Sequence, residues 1–283
     1  MRNSEILTIG IKTFCRPNTL KESLSILFTK NNQIYPVIIV DDSLNEYKKE
    51  NLKIVNYFRQ LYSADIKIID MEFDSGLSKG RNLLVEHCKT KYIMILDDSR
   101  TFTNDTNISN MILFLENNPT YHLFCGVVNE RPGRHRKYSG LFNNIKLIDG
   151  VINIDIFPSK PIYSKLFNDL EEVNIGLNVF IARTDTLRRV KWANELKMGE
   201  HERFFYDFFM NGYKCVVSED CIFTQVKNRE YPEDLVKYRH RASTIESFVK
   251  LHWIKPDDPK ILLSITIFLV VVILFSVVQL IQV

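Results

Sequence analysis

The chain has 283 residues, of which 45% are hydrophobic and 25% charged, enough for one large packed domain or two small ones. Its formal net charge is only +3, with basic residues scattered among acids, so the basic footprint of a nucleic-acid partner is excluded. The five cysteines form no CxxC pair and several lie in apolar runs, which reads as buried free thiols and excludes a zinc site or a demanded disulfide framework.

The first run, Ile6 to Phe14, is rich in β-branched residues and predicts a strand. Gly10 and Lys12 interrupt it and no basic region with a cleavage site flanks it, so it is no signal peptide. A turn at Arg16-Pro17 follows with Asn18 as a candidate cap, and Leu20, Leu24, Leu27 and Phe28 then recur at helical spacing. Val37 to Val40 predicts a short buried strand ending on Asp41-Asp42-Ser43. Tyr47 to Tyr62 predicts a helix with Leu52, Val55 and Phe58 on one stripe, and Ile66 to Ile69 a third strand. Gly76 and Gly80 mark a loop before a helix from Arg81 to His87. The apolar run Tyr92 to Leu96 reads as a strand buried on both faces, and it closes on Asp97-Asp98.

Strand and helix alternate at short intervals here, the pattern of a parallel, doubly wound α/β sheet. Right-handed crossovers then bring the Thr13–Arg16 turn, Asp41-Asp42 and Asp97-Asp98 to one rim, where open α/β sheets bind ligands. Paired carboxylates there suit a hard divalent cation bridging phosphates, and a Gly-rich loop before Arg81 suits a diphosphate. The chain lacks both GxxxxGK[ST] and GxGxxG, so neither a Walker-type NTPase nor a dinucleotide dehydrogenase is supported.

The second half is less regular. Leu123 to Val128 predicts a strand. Asn129 to Tyr138 is a basic loop (Arg131, Arg134, His135, Arg136, Lys137), either a solvated turn or a contact for an anionic substrate. Val173 to Arg183 predicts a strand, with Gly176 and Asn178 allowing close backbone approach. Glu200-His201-Glu202 precedes an aromatic-rich helix stopped by Asn211-Gly212, and Tyr213 to Val217 is a last strand. These acids either favour the helix start through its dipole or supply a general base. A lone histidine there does not make a metal site.

Glu233 to Trp253 reads as an interfacial helix leading into Ile261–Val283, which carries no charge and is long enough to span a bilayer. Lys250, Lys255 and Lys260 beside Trp253 place the preceding domain on the cytosolic side. The expected organisation is a catalytic domain over 1–232, a juxtamembrane segment over 233–260 and a single-pass anchor over 261–283. Asn104-Asp105-Thr106 and Asn107-Ile108-Ser109 are formal glycosylation sequons.

The ordered blocks Lys12-Thr13-Phe14-Cys15-Arg16, Val37 to Ser43, Gly76 to Asn82, Thr90-Lys91-Tyr92 through Asp98, Asn178 to Asp185 and Gly199 to Phe205 resemble the glycosyltransferase family 2-like group with the GT-A fold. Within it the chain looks most like the ganglioside-type β-1,4-N-acetylgalactosaminyltransferases. The resemblance implies a Rossmann-like, mostly parallel sheet with flanking helices. It also implies inverting transfer of GalNAc or GlcNAc from a UDP-sugar to a glycan or glycolipid hydroxyl. Thr13, Arg16 and Asp42, with Asp41, would hold the uridine, and Arg81 would lie near the nucleotide. Asp97 and Asp98 would form the DxD element that binds ribose and, through Mn2+ or Mg2+, the diphosphate; Asp98 is the expected metal contact. Glu200 or Glu202 would be the catalytic base. The chain departs from the family at Ser99, where an acid ligand is expected, and at Gln225, where a metal-binding histidine is expected, with His240 a substitute. The alternatives are an inactive membrane-anchored protein that binds nucleotide-sugar or glycan, and a nucleotidyltransferase.

Overall fold

The computed structural model describes residues 6–30, 35–131, 134–136, 141–148, 151–157, 159–197, 200–226 and 232–239. Strand β1 (Leu7–Thr13) is followed by α1 (Pro17–Lys30), β2 (Val37–Asp41) by α2 (Asn45–Tyr62), and β3 (Ile66–Asp70) by α3 (Leu77–His87), before β4 (Tyr92–Asp97). The β2–β3, β1–β2 and β1–β4 ladders are all parallel, giving the order β3-β2-β1-β4. Every residue of β1 and β2 is buried, since both faces are covered. Leu7, Ile9 and Ile11 join the core with Leu20 and Leu24 of α1. On the opposite face Gly10 leaves room for Leu84 of α3, which a Cβ would meet at 3.2 Å.

Beyond β4 come β5 (Arg100–Phe102), α4 (Ile108–Asn117), β6 (Tyr121–Arg131) and β7 (Arg134–Arg136). Then follow β8 (Leu141–Ile148), β9 (Val151–Phe157), β10 (Lys160–Pro161), β11 (Leu170–Val173), β12 (Val179–Arg183) and α5 (Thr184–Arg189). The last described elements are α6 (Glu200–Met210), β13 (Lys214–Gln225) and α7 (Val236–Arg239). The β8 and β9 strands form a separate two-stranded sheet.

The main sheet is mixed, not mostly parallel. Strand β12 lies antiparallel between β4 and β6, and β13 runs parallel to β6 but antiparallel to β5 and β11. Strand β12 keeps the direction of β11 through the short 174–178 connection, which leaves it antiparallel to both β4 and β6.

Several elements differ locally from expectation. Helix α1 starts at Pro17, not after Asn18, because proline's fixed φ suits a first helical position. Helix α3 starts at Leu77, so Gly80 lies inside it; Gly76, at φ 93°, is its cap. The expected basic loop is largely the β6–β7 hairpin, in which Val128 pairs with Arg136 and Asn129 with His135. The expected strand over 173–183 is split into β11 and β12, and Gly176 in the interval does permit a close approach: a Cβ there would stand 2.2 Å from Cys125 Sγ. The last strand runs on from Val217 to Gln225, bulged between Val217 and Ile222. No helix among the described residues is long and apolar enough to cross a membrane; the expected anchor at 261–283, and His240, lie outside the described residues.

Candidate functional site

The strand order reverses at β1, whose neighbours β2 and β4 both run parallel to it. Crevices at the carboxyl ends of strands flanking such a switch point are where open α/β sheets bind ligands. A pocket of about 240 Å³ lies here. Its walls come from the end of β1 (Lys12 to Phe14, and Arg16), from Asp42 after β2, from the turn after β4 (Asp97 to Arg100), from the loop into α3 (Asp74, Gly76, Leu77), and from Lys197 and Tyr238.

Asp98 is fully buried, accepts a 2.8 Å hydrogen bond from Thr13 Oγ1 and pairs with the Arg16 guanidinium. Burial raises its pKa, and Arg16 and Thr13 only partly offset that. Asp42 pairs with Lys12 and accepts the Gly76 backbone N–H at 2.9 Å. The Lys12 stem crosses α3 where Gly80 has no side chain; a Cβ there would lie 2.4 Å from Lys12 Cδ. Asp41 is not brought to the pocket. Its carboxylate accepts Ser43 N–H at 2.9 Å and Asn51 Nδ2 at 2.8 Å, tying the turn after β2 to α2.

Arg81 joins the pocket to the start of α6. Almost wholly buried, it donates to Asp97 Oδ1 at 3.0 Å and to Glu200 Oε1 at 2.8 Å. Its guanidinium carbon lies 5.9 Å from the centre of the Trp192 ring, which stacks on Phe204 at 4.2 Å. Burial works against the Arg81 charge, but Asp97 and Glu200 outweigh it and push its pKa further up. Burial likewise opposes ionisation of Asp97, yet Arg81 and Arg100 hold its pKa below the ordinary carboxylate value. Glu200 is thus buried in an ion pair, and Glu202 lies on the same first turn of α6, its side chain outside the described residues. His201 Nδ1 sits 3.0 Å from Asn178 Oδ1. Phe204, Phe205 and Phe208 are core.

Lys12 and Phe14 fall in a block that the sequence marks but were given no site role, and Asp74, Arg100, Lys197 and Tyr238 were not singled out as site residues; all six line the pocket. Phe14 stacks on Phe73 at 5.6 Å, and Tyr238 meets Phe14 edge-on at 6.0 Å and Phe73 at 5.3 Å. Phe14 follows directly on β1, so its place on the rim could have been read from the strand end. Nothing in the sequence pattern ties Tyr238, beyond the boundary expected at 232, to that rim.

Among the described residues, which do not include His240, the side chains present do not fit a divalent cation held by protein ligands. Asp98, the expected contact, has one oxygen on Thr13 and the other on Arg16. The two departures from the expected ligand set are neighbours, since Gln225 pairs in register with Arg100 and the Val226 N–H donates to the Ser99 carbonyl at 3.0 Å. Among the described residues, no group of three or more His, Cys, Asp or Glu side chains is placed to hold a metal ion.

A mixed α/β sheet with an acid-lined pocket at its switch point is the architecture of the GT-A fold. The family model for glycosyl transferase family 2 matches residues 8–183, and the chain belongs to that family. It is 27% identical over 265 residues to beta-1,4 N-acetylgalactosaminyltransferase 1 of Mus musculus, a match covering 88% of this chain and 46% of that protein. The chain thus spans about half the length of this relative. Among solved structures, S. aureus TarS 1-349 in complex with UDP-GlcNAc superposes with a TM-score of 0.62 at 17% identity, covering 87% of this chain and 64% of that one. GalNAc-T7 with UDP, GalNAc and Mn2+ superposes with a TM-score of 0.64 at 15% identity, covering 92% of this chain and 50% of that one.

Proposed function

We propose that this chain is an inverting glycosyltransferase that moves GalNAc or GlcNAc from a UDP-sugar to a hydroxyl of a glycan or glycolipid. The observation that carries the reading is the pocket at the ends of β1 and β4, where Thr13, Arg16, Asp42, Asp97 and Asp98 converge. The relatives named above, one an N-acetylgalactosaminyltransferase and one a UDP-GlcNAc complex, support the choice of donor. In this reading Thr13, Asp42 and the Phe14–Tyr238 aromatic wall receive the nucleoside, and Asp97 the ribose. The acceptor oxygen attacks the anomeric carbon from the side opposite the nucleotide, and the bond from that carbon to the diphosphate oxygen breaks. The electron pair leaves with UDP while Glu202 takes the acceptor proton. Glu200, already bonded to Arg81, positions the first turn of α6 and does not act as the base. The segment 261–283 anchors the domain at a membrane with the pocket in the cytosol.

Purified chain incubated with UDP-GalNAc or UDP-GlcNAc and an oligosaccharide acceptor is expected to release UDP and form product of inverted anomeric configuration. Glu202→Gln should lower kcat by roughly 10²–10⁴-fold, the usual worth of a general base, with the donor KM little changed. Release of pyrophosphate would instead identify a nucleotidyltransferase, and no turnover with any UDP-sugar would identify a binding protein. For the orientation, Asn104 and Asn107 are both exposed. A glycosidase-sensitive mass shift on expression in secretory cells would overturn the cytosolic placement.

A further inference from the structure

Among the described residues, every carboxylate lining the pocket is already paired with a cation of the protein: Asp42 with Lys12, Asp97 with Arg81, Asp98 with Arg16, and Asp74 with Lys197. These pairs are not equally strong. The Lys12–Asp42 and Arg16–Asp98 pairs are almost wholly buried, and removing one partner from a buried pair typically costs roughly 3–5 kcal/mol. A cation recruiting Asp42 or Asp98 would have to displace Lys12 or Arg16 at a cost of that order. The Lys197 side chain is 44% exposed, and exposed pairs are worth only about 0–1 kcal/mol. Its ammonium, 2.8 Å from Asp74 Oδ2 and 2.6 Å from the Asp74 carbonyl oxygen, can therefore turn to an incoming anion at little cost.

The turn after β4 carries a second cation. Ser99, which brings no charge, is followed by Arg100, and both line the pocket. Arg100 is close enough to hold down the Asp97 pKa. The amino terminus of α3, at Gly76 and Leu77, opens on the same pocket and adds a partial positive charge of about half a unit.

Resting on the UDP-sugar reading above, we infer that the donor's diphosphate is held by side-chain cations of this chain, Arg100 and Lys197, and that its binding requires no divalent metal. Guanidinium and ammonium groups supply the charge-assisted hydrogen bonds that a diphosphate accepts, so they both bind it and offset the charge that builds on it as UDP leaves.

The test is a thermal-shift titration of the full chain in detergent, with UDP and with uridine, in EDTA and in MnCl2. UDP is expected to raise Tm to the same extent in both media, with Kd values agreeing within about twofold. Arg100→Ala and Lys197→Ala should each weaken UDP roughly 10-fold, the scale of one charge-assisted hydrogen bond, while uridine binds unchanged. Arg100→Lys should recover most of the loss, which separates a charge contact from a folding defect. Stabilisation by UDP in MnCl2 but not in EDTA would overturn the inference, as would equal weakening of UDP and uridine in both alanine variants. Failure of both UDP and uridine to bind in either medium would overturn the UDP-sugar reading itself.

Discussion

Arg81 offers a quantitative test of how the site is held together. It is 1% exposed and bridges Asp97 and Glu200. At about 3 Å and an effective dielectric of ~20, each contact is worth roughly 5 kcal/mol gross, most of it offset by desolvation. Arg81→Met keeps much of the volume but strands the Glu200 carboxylate in a site where it is only 5% exposed. The expected loss, read from urea unfolding with linear extrapolation, is roughly 3–5 kcal/mol. Glu200→Gln alone should cost about 1–2 kcal/mol, since Arg81 keeps Asp97 as a partner. The double variant is the decisive one. With Glu200 neutralised, loss of Arg81 leaves only Asp97, whose side chain is 30% exposed and can be hydrated. The double variant should therefore be more stable than the sum of the single losses predicts by at least about 1 kcal/mol, within the usual range for coupled neighbours. Additivity to within about 0.5 kcal/mol would refute the argument, because it would mean that the two side chains do not share a buried charge network.

Gly80→Ala should destabilise the protein by roughly 1–3 kcal/mol, since the new methyl meets the Lys12 stem at 2.4 Å. The same change at an exposed helix position would stabilise by about 0.5–1 kcal/mol, so the sign in a thermal melt is the readout. Tyr238→Ala should weaken UDP about 2–10-fold in a binding titration, given ~0.5–1.5 kcal/mol per aromatic contact, and Tyr238→Phe should not. Asp97 has a folded pKa below its unfolded one, so its contribution to stability is complete above the ordinary carboxylate value and is lost as pH falls through the folded one. Urea midpoints should therefore drop more steeply below about pH 4 in the native protein than in Asp97→Asn.

The half of the fold that positions the site was legible in the sequence, because β1, β2 and β4 are short apolar runs, though the stripe expected on α2 was misplaced in part: Leu52 is exposed, while Asn51 and Ile54 are buried beside Val55 and Phe58. What misled was local. Gly80 reads as a loop residue because glycine is poor in a helix; it sits in α3 because Lys12 needs the space. The basic segment after Val128 reads as loop because Pro132 and Gly133 break it, yet the residues on either side pair as a hairpin. Strand β12 was found, but its direction was not, since apolar periodicity carries no information on whether a neighbour is parallel. Lys197 and Tyr238 come from segments far along the chain with no periodic signature, and only the tertiary arrangement brings them to the rim.

The two Asp-Asp pairs look alike in sequence and divide in the same physical way. Successive residues at a strand end project to opposite faces of the sheet. Asp41 goes to Asn51 of α2, while Asp42 meets Lys12 and the cap of α3. Asp97 goes to Arg81 of α3, while Asp98 meets Thr13 and Arg16 at the start of α1. Each pair thus fastens two helices to the strand ends that form the pocket floor. That division explains why the acids expected to hold a nucleotide are so thoroughly tied to the protein. It also shifts the burden of recognising an anionic ligand to Arg100 and Lys197, which line the same pocket and which no acid motif in the sequence points to.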